Sequence, residues 1–142
     1  MTTLIVYYTR SGNTKKAAEE LAKELGASLL ELREDRPRKG ILGFMRSGFE
    51  AVSKKTVPIK PFSENLSSFD RIVIATPVWA GHVCSPMRTF LMDNAKHIKD
   101  LGVLETHSHA DFVYKAVIAE IAALAGKQPT LERSVTGRLS IK

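Results

Sequence analysis

The chain has 142 residues, 44% hydrophobic and 25% charged, an ordinary globular mix with enough length for one well-buried core over residues 1–142. It carries a formal charge of +6 and a single cysteine, Cys84, which excludes an internal disulfide and fits a reducing, cytoplasmic setting. No apolar run approaches the ~18 residues of a membrane span, and the first residues enter a strand pattern without the basic region of a signal peptide, so no membrane partner is expected.

Leu4, Ile5, Val6, Tyr7 and Tyr8 form a continuous apolar run, as in a strand covered on both faces. From Thr14 the period changes to that of a helix. Ala17, Ala18, Leu21, Ala22 and Leu25 lie on one face and charged residues on the other, with Gly26 placed to end it. Residues 27–33 alternate as a second strand with Leu30 and Leu32 on one face. Residues 36–61 are harder to read. Gly40, Gly43 and Gly48 interrupt an apolar series (Ile41, Leu42, Phe44, Met45, Phe49, Val52) whose spacing predicts one imperfect helix, and Pro58 and Pro61 force an extended connection after it.

Residues 70–77 read as a third strand. Ser85-Pro86 is a helix-start signal, with Ser as N-cap and Pro at the first helical position, and Phe90, Leu91 and Ala95 can face inward from that helix. Residues 101–106 make a short fourth strand. Asp111 can cap a helix carrying Val113, Val117, Ile118, Ile121 and Leu124, which Gly126 ends, and residues 130–135 supply a fifth strand. Strict alternation of strand and helix implies an α/β fold, a doubly wound parallel five-stranded sheet with helices on both faces, in the order 2-1-3-4-5. Ligands then bind beyond the carboxyl ends of the strands, where residues 9–14, 77–85 and 107–111 meet.

The first of these loops carries the chemistry. A strand entering a helix through a short loop presents unpaired N–H groups and the positive end of a helix dipole, which makes an anion site. Thr9, Ser11 and Thr14 add hydroxyls, Asn13 an amide and Arg10 a charge, while Gly12 lets the backbone approach closely. A nucleotide P-loop would need a second glycine followed by Lys-Ser or Lys-Thr; a phosphatase loop would need a cysteine; a phospho-acceptor would need acidic residues. None stands there.

In this order and on these elements, residues 9–14 resemble the flavin mononucleotide (FMN) phosphate loop of flavodoxins. Thr76-Pro77-Val78-Trp79-Ala80-Gly81, followed by Ser85-Pro86, resembles the second flavin-contacting loop of the short-chain flavodoxin family. Lys39-Gly40-Ile41-Leu42-Gly43-Phe44 resembles the glycine-rich stretch after strand 2 in some bacterial members. The likeness spans residues 4–126. It implies FMN as cofactor, held by Thr9, Arg10, Ser11, Gly12, Asn13 and Thr14 at the phosphate. The backbone of Pro77, Val78, Trp79, Ala80 and Gly81 would meet the isoalloxazine edge, with the Trp79 indole against a ring face. Thr106, His107 and Ser108 would bound the third side. Tyr8 is expected in the core and Cys84 as a small buried hydrophobe.

Two segments depart from the family. The third loop, Thr106-His107-Ser108-His109-Ala110-Asp111, replaces the usual small residues. Its His-x-His-x-Asp also resembles the start of a metallo-β-lactamase metal motif, but Phe112 follows where histidine is required, so no metal is expected. His107 or His109 could instead tune a reduced flavin or protonate a substrate. After the fifth strand, residues 136–142 leave no room for the usual closing helix, so the last helix is expected to be missing. One sheet edge would then be exposed or covered by a partner chain, admitting a homodimer or a truncated, weakly binding domain.

The resemblance implies first an electron-transfer protein whose redox chemistry the flavin carries, with no catalytic protein residue. The alternative is an NAD(P)H-dependent FMN or quinone reductase. Between residues 33 and 61, eight basic side chains (Arg33, Arg36, Arg38, Lys39, Arg46, Lys54, Lys55, Lys60) stand against Glu34, Asp35 and Glu50, five of the six excess charges. Such a segment is either a solvated surface or a face for an anionic cofactor or an acidic redox partner protein. It tilts toward the reductase, since carriers of this family are typically acidic. No recognition motif supports nucleic-acid binding. A third reading is a flavodoxin-fold interaction module without cofactor.

Overall fold

The computed structural model describes residues 1–35, 40–108 and 115–136. Strand β1 (Thr3–Tyr7) is buried throughout because helices cover both its faces: Ile5 and Tyr7 point to one layer, Leu4 and Val6 to the other. Helix α1 (Asn13–Leu25) lays Thr14, Ala17, Ala18, Leu21 and Ala22 on the sheet. It ends at Gly26, whose left-handed φ of 63° a side chain would resist, and the Ala27 N–H closes on the Ala22 carbonyl at 2.9 Å. The edge strand β2 (Ser28–Glu31) turns Leu30 inward and leaves Leu29 exposed.

Helix α2 (Gly40–Val52) follows, and then an extended stretch anchored by Thr89, whose hydroxyl both accepts from the Val57 N–H and donates to the Val57 carbonyl. Strand β3 (Arg71–Trp79) outruns its expected end by two residues and folds back through Ala80 and Gly81 onto a short antiparallel strand β4 (His82–Val83). Both turn residues have positive φ, 50° and 82°, the geometry of a tight two-residue hairpin turn. Helix α3 (Ser85–Asn94) starts one residue earlier than its sequence signal. Cys84 occupies the cap position, and the Ser85 hydroxyl donates to Glu50 Oε1 at 2.7 Å instead of capping its own helix. Strand β5 (Leu101–His107), helix α4 (Lys115–Ala125) and the exposed strand β6 (Leu131–Thr136) complete the described chain.

The sheet order is β2-β1-β3-β5-β6, all parallel, with β4 paired only to β3. Leaving the β4 hairpin aside, this is the 2-1-3-4-5 order expected from alternation and right-handed crossovers. Ala51 of α2, Met87 and Phe90 of α3, and Val117 and Ile121 of α4 pack one face, burying Leu4, Val6, Ile72, Ile74 and Val103. Among the described residues α1 alone covers the other, over Ile5, Tyr7, Val73, Ala75 and Leu104. The expected missing last helix, the Asp111 cap and Val113 fall outside the described residues.

Candidate functional site

Parallel strands bring the loops after β1, β3 and β5 together at one end of the sheet, beside the position where the strand order reverses. They enclose a cavity of about 380 Å³, within the ~300–1,000 Å³ usual for small-molecule sites. Its walls are Thr9, Arg10, Ser11, Asn13 and Thr14; Pro77, Val78, Trp79, Ala80 and Gly81; and Thr106, His107 and Ser108. Every residue expected at a cofactor site is therefore on the wall except Gly12, which lies behind it as the N-cap of α1.

Gly12 has φ of 99° and offers no side-chain cap, and the first turn of α1 carries no acidic residue. The cap position of α1 thus supplies no side chain to its opening N–H groups. Lys15 and Lys16 are exposed in that turn, a placement that opposes the helix dipole but favours a bound anion. Two hydroxyls hold the loop in shape. Thr9 Oγ1 accepts the Gly12 N–H at 2.9 Å, and the buried Thr14 Oγ1 lies 2.7 Å from Thr106 Oγ1, tying the start of α1 to the end of β5.

The second wall rests on a charge cluster. The carboxylate of Glu120, on α4, accepts from the Val83 N–H at 2.7 Å and from Arg88 Nη2 at 2.9 Å, and lies 3.1 Å from His82 Nδ1. Burial alone would raise the Glu120 pKa. The Val83 N–H, His82 and Arg88 outweigh it, and the carboxyl sits below its ordinary value. The hairpin carrying Trp79, Ala80 and Gly81 is thereby pinned to both α3 and α4. Trp79 packs edge-on to Tyr8, with ring centroids 5.5 Å apart at 83°, so most of the indole belongs to the core and a part faces the cavity. Tyr8 donates to Glu34 Oε1 at 2.6 Å. Cys84 is fully buried, its Sγ 3.3 Å from Thr76 Oγ1.

At the third wall, Glu105 is 0% exposed, and both its oxygens lie 2.9 Å from His107 Nδ1 while the Ser134 hydroxyl donates to Oε1. His107 Nε2 meets Thr136 Oγ1 at 3.1 Å. His107 is thus a held side chain on the cavity wall, oriented by strand neighbours two and twenty-nine residues away. His109 and Asp111, the rest of the His-x-His-x-Asp motif, lie outside the described residues. Among the described residues no cluster of three metal-binding side chains occurs, and no helix is long and apolar enough to cross a membrane.

Phe44, Ser47 and Gly48 of α2 also line the cavity, with Arg10 Cζ 5.5 Å from the centroid of the Phe44 ring. Sequence spacing placed α2 but gave no sign that it reaches the site. Glu105 and Glu120 escaped for another reason: each reads as an ordinary helix or strand charge until the neighbouring elements are assembled.

A family model described as NADPH-dependent FMN reductase matches residues 4–127. The chain belongs to this family. No curated protein sequence is similar enough to this FMN reductase family member to count as a relative. Solved structures share its fold. A flavoprotein from Lactobacillus acidophilus NCFM in complex with FMN is 23% identical, covering 94% of this chain and 92% of that one with a TM-score of 0.79. A WrbA-like flavodoxin from Agrobacterium tumefaciens is 16% identical over 94% and 83%, TM-score 0.59. The two-electron reduced flavodoxin of Megasphaera elsdenii is 16% identical over 99% and 90%, TM-score 0.60. At these identities the likeness establishes a flavodoxin-like fold. The family match also corrects the order of the functional readings: it favours the reductase, which stood second, over the plain electron carrier.

Proposed function

We propose that this FMN reductase family member binds FMN in the cavity at the ends of β1, β3 and β5 and oxidises NAD(P)H. The observation that carries the reading is the glycine-capped N-terminus of α1, with Gly12 at φ 99° and no acidic residue in the first turn, opening at one end of a cavity walled elsewhere by Val78, Trp79 and Phe44. That pairing suits a dianionic phosphate joined to a flat aromatic ring. When bound, FMN would supply the redox chemistry, taking a hydride from NAD(P)H and passing two electrons to a quinone or a second flavin.

The chain's own part is binding and orientation. Ser11, Asn13 and the α1 N–H groups would hold the phosphate, with Arg10, Lys15 and Lys16 adding attraction for both FMN and a pyridine nucleotide. The hairpin pinned by Glu120 would present backbone groups of residues 77–81 to the ring edge. His107, fixed by Glu105, would stand on the remaining side. A reducing cytoplasm, where NADPH is available and Cys84 stays a thiol, fits this role.

The test is a flavin fluorescence titration followed by NADPH oxidation with a quinone acceptor, repeated with Asn13→Ala. We expect an FMN Kd below about 1 μM, weakened at least tenfold by the substitution, and NADPH turnover that requires bound FMN. Tight FMN binding without NADPH oxidation restores the carrier reading, in which a partner protein delivers the electrons. Absence of binding at tens of micromolar leaves the cofactor-free module.

A further inference from the structure

The cavity offers a flat ring far more surface on α2 than on the hairpin after β3. Trp79, which the family likeness sets against the flavin ring, is only 8% exposed and packs edge-on to Tyr8 within the main core cluster. Phe44 lines the same cavity from α2 and is 58% exposed. Taking an aromatic side chain to present roughly 150–250 Å² in full, these fractions leave about 20 Å² open at Trp79 and about 100 Å² at Phe44. Only the second is of the order of a whole ring face. Ser47 and Gly48, one turn further along the helix from Phe44, also line the cavity, and a Cβ added at Gly48 would meet nothing within 4 Å. Phe44 therefore stands at the edge of a floor of small residues on which a flat ligand can lie.

We propose that Phe44 is the residue that takes the isoalloxazine face, with Trp79 acting as packing support for the hairpin, and that Arg10 makes this contact depend on the phosphate at the other end of the ligand. The inference rests on the FMN reading of the cavity and adds to it the side chain that seats the ring.

The Phe44 ring is not bare. The Arg10 guanidinium, carried by the loop between β1 and α1, lies with Cζ 5.5 Å from the ring centroid, within reach of a cation–π contact. A ligand ring that settles on that face displaces the guanidinium. A phosphate at the start of α1 replaces the lost contact with a charge-assisted one inside the guanidinium's own loop. FMN supplies both halves of this exchange. Riboflavin has the ring without the phosphate, so it displaces Arg10 and gives it no new partner; inorganic phosphate alone leaves Phe44 open to water. The site is thereby selective for a ring and a phosphate on one molecule.

The experiment is titration calorimetry of the full chain with FMN and with riboflavin, each variant also being followed by thermal denaturation. Phe44 is exposed and the space at Gly48 is open, so Phe44→Ala and Gly48→Leu should keep the circular dichroism spectrum without lowering the melting temperature. Both should raise the FMN Kd about tenfold or more, the first by removing the ring's seat and the second by filling the floor beside it. Trp79→Leu should lower the melting temperature and raise that Kd less than Phe44→Ala does. Arg10→Ala should move the two ligands in opposite directions, FMN weaker by about tenfold and riboflavin tighter by roughly twofold. The inference is overturned by a Phe44→Ala protein with wild-type FMN affinity, or by a Trp79→Leu protein that keeps its melting temperature and binds FMN worse than Phe44→Ala. It is equally overturned by Arg10→Ala weakening both flavins alike. A wild-type chain that takes up neither flavin overturns the FMN reading itself, and this inference falls with it.

Discussion

Glu120→Gln should be the most informative single substitution, because it keeps the shape of the side chain and removes only its charge. The glutamine carbonyl can still accept one of the bonds now made by Val83 N–H and Arg88, but its amide opposes the other donor. Arg88 is 5% exposed and its Nε has no hydrogen-bond partner among the described residues, so the variant leaves the buried guanidinium without its carboxylate. Breaking a fully buried pair costs roughly 3–5 kcal/mol; with Glu120 partly open to solvent, about 2–3 kcal/mol is expected. For a chain of this length that lowers Tm by roughly 6–12 °C. The sign with pH follows from the depressed carboxyl. Its stabilisation is present above the ordinary glutamate range and lost as pH falls through the lower folded value, so the variant's deficit should shrink in acid. The assay is thermal denaturation at neutral and acidic pH, closed by a double-mutant cycle in which Arg88→Met rescues Glu120→Gln. FMN affinity should fall about tenfold in the single variant, as the hairpin loosens. A neutral-pH loss under about 0.5 kcal/mol, or strict additivity with Arg88→Met, would refute the reasoning.

Three further outcomes follow from single contacts. Gly102→Ala would place Cβ 2.9 Å from Val73 Cγ2 and 3.4 Å from Leu131 Cβ, inside the layer under α1; chemical denaturation should record a loss of roughly 1–3 kcal/mol, and an unchanged midpoint would count against the packing described. Thr14→Val keeps the volume but strands the buried Thr106 hydroxyl, so a loss of about 1–2 kcal/mol and a several-fold weaker FMN titration are expected together. Burial, with the Glu31 carboxylate beside it, pushes the Tyr7 phenol up to about 12. The fold therefore holds that proton. Its stabilisation is complete below the free phenol's ordinary range and disappears as pH rises through about 12, so absorbance at alkaline pH should show one late tyrosine, absent in Tyr7→Phe.

What could be read from the sequence divides by range. β1, α1 and the Gly26 stop are local statements, in which hydrophobic period and a residue suited to positive φ agree, and the structure places them within a residue or two. Sheet order followed as well, because alternation and handedness leave few arrangements. Failures began where one element borrows from another. Ser85 carries every mark of an N-cap, yet its hydroxyl goes to Glu50, a helix away, and Cys84 takes the position. Glu120 looks like a solvent-facing charge on α4, and only the hairpin after β3 supplies the Val83 N–H that gives it a task.

Helix α2 shows the same limit from the opposite side. Periodicity in Leu42, Met45, Phe49 and Val52 announces a helix with an apolar face, and the helix is there. The inference that an apolar face points inward assumes that the nearest dry surface belongs to the same chain. Here Gly43, Ser47 and Ala51 are small enough to sit close to the sheet layer, and Glu50 accepts from the Ser85 hydroxyl of α3, so the polar side has a partner in the domain. Turning the helix over would bury Leu42 and Phe49 but break the Ser85–Glu50 bond, since the Arg46–Glu50 pair lies within the helix and turns with it, an exchange of apolar gain against one hydroxyl–carboxylate bond. A hydrophobic pattern therefore announces a helix with an apolar face, while the small and polar residues between its members decide which face lies against the sheet.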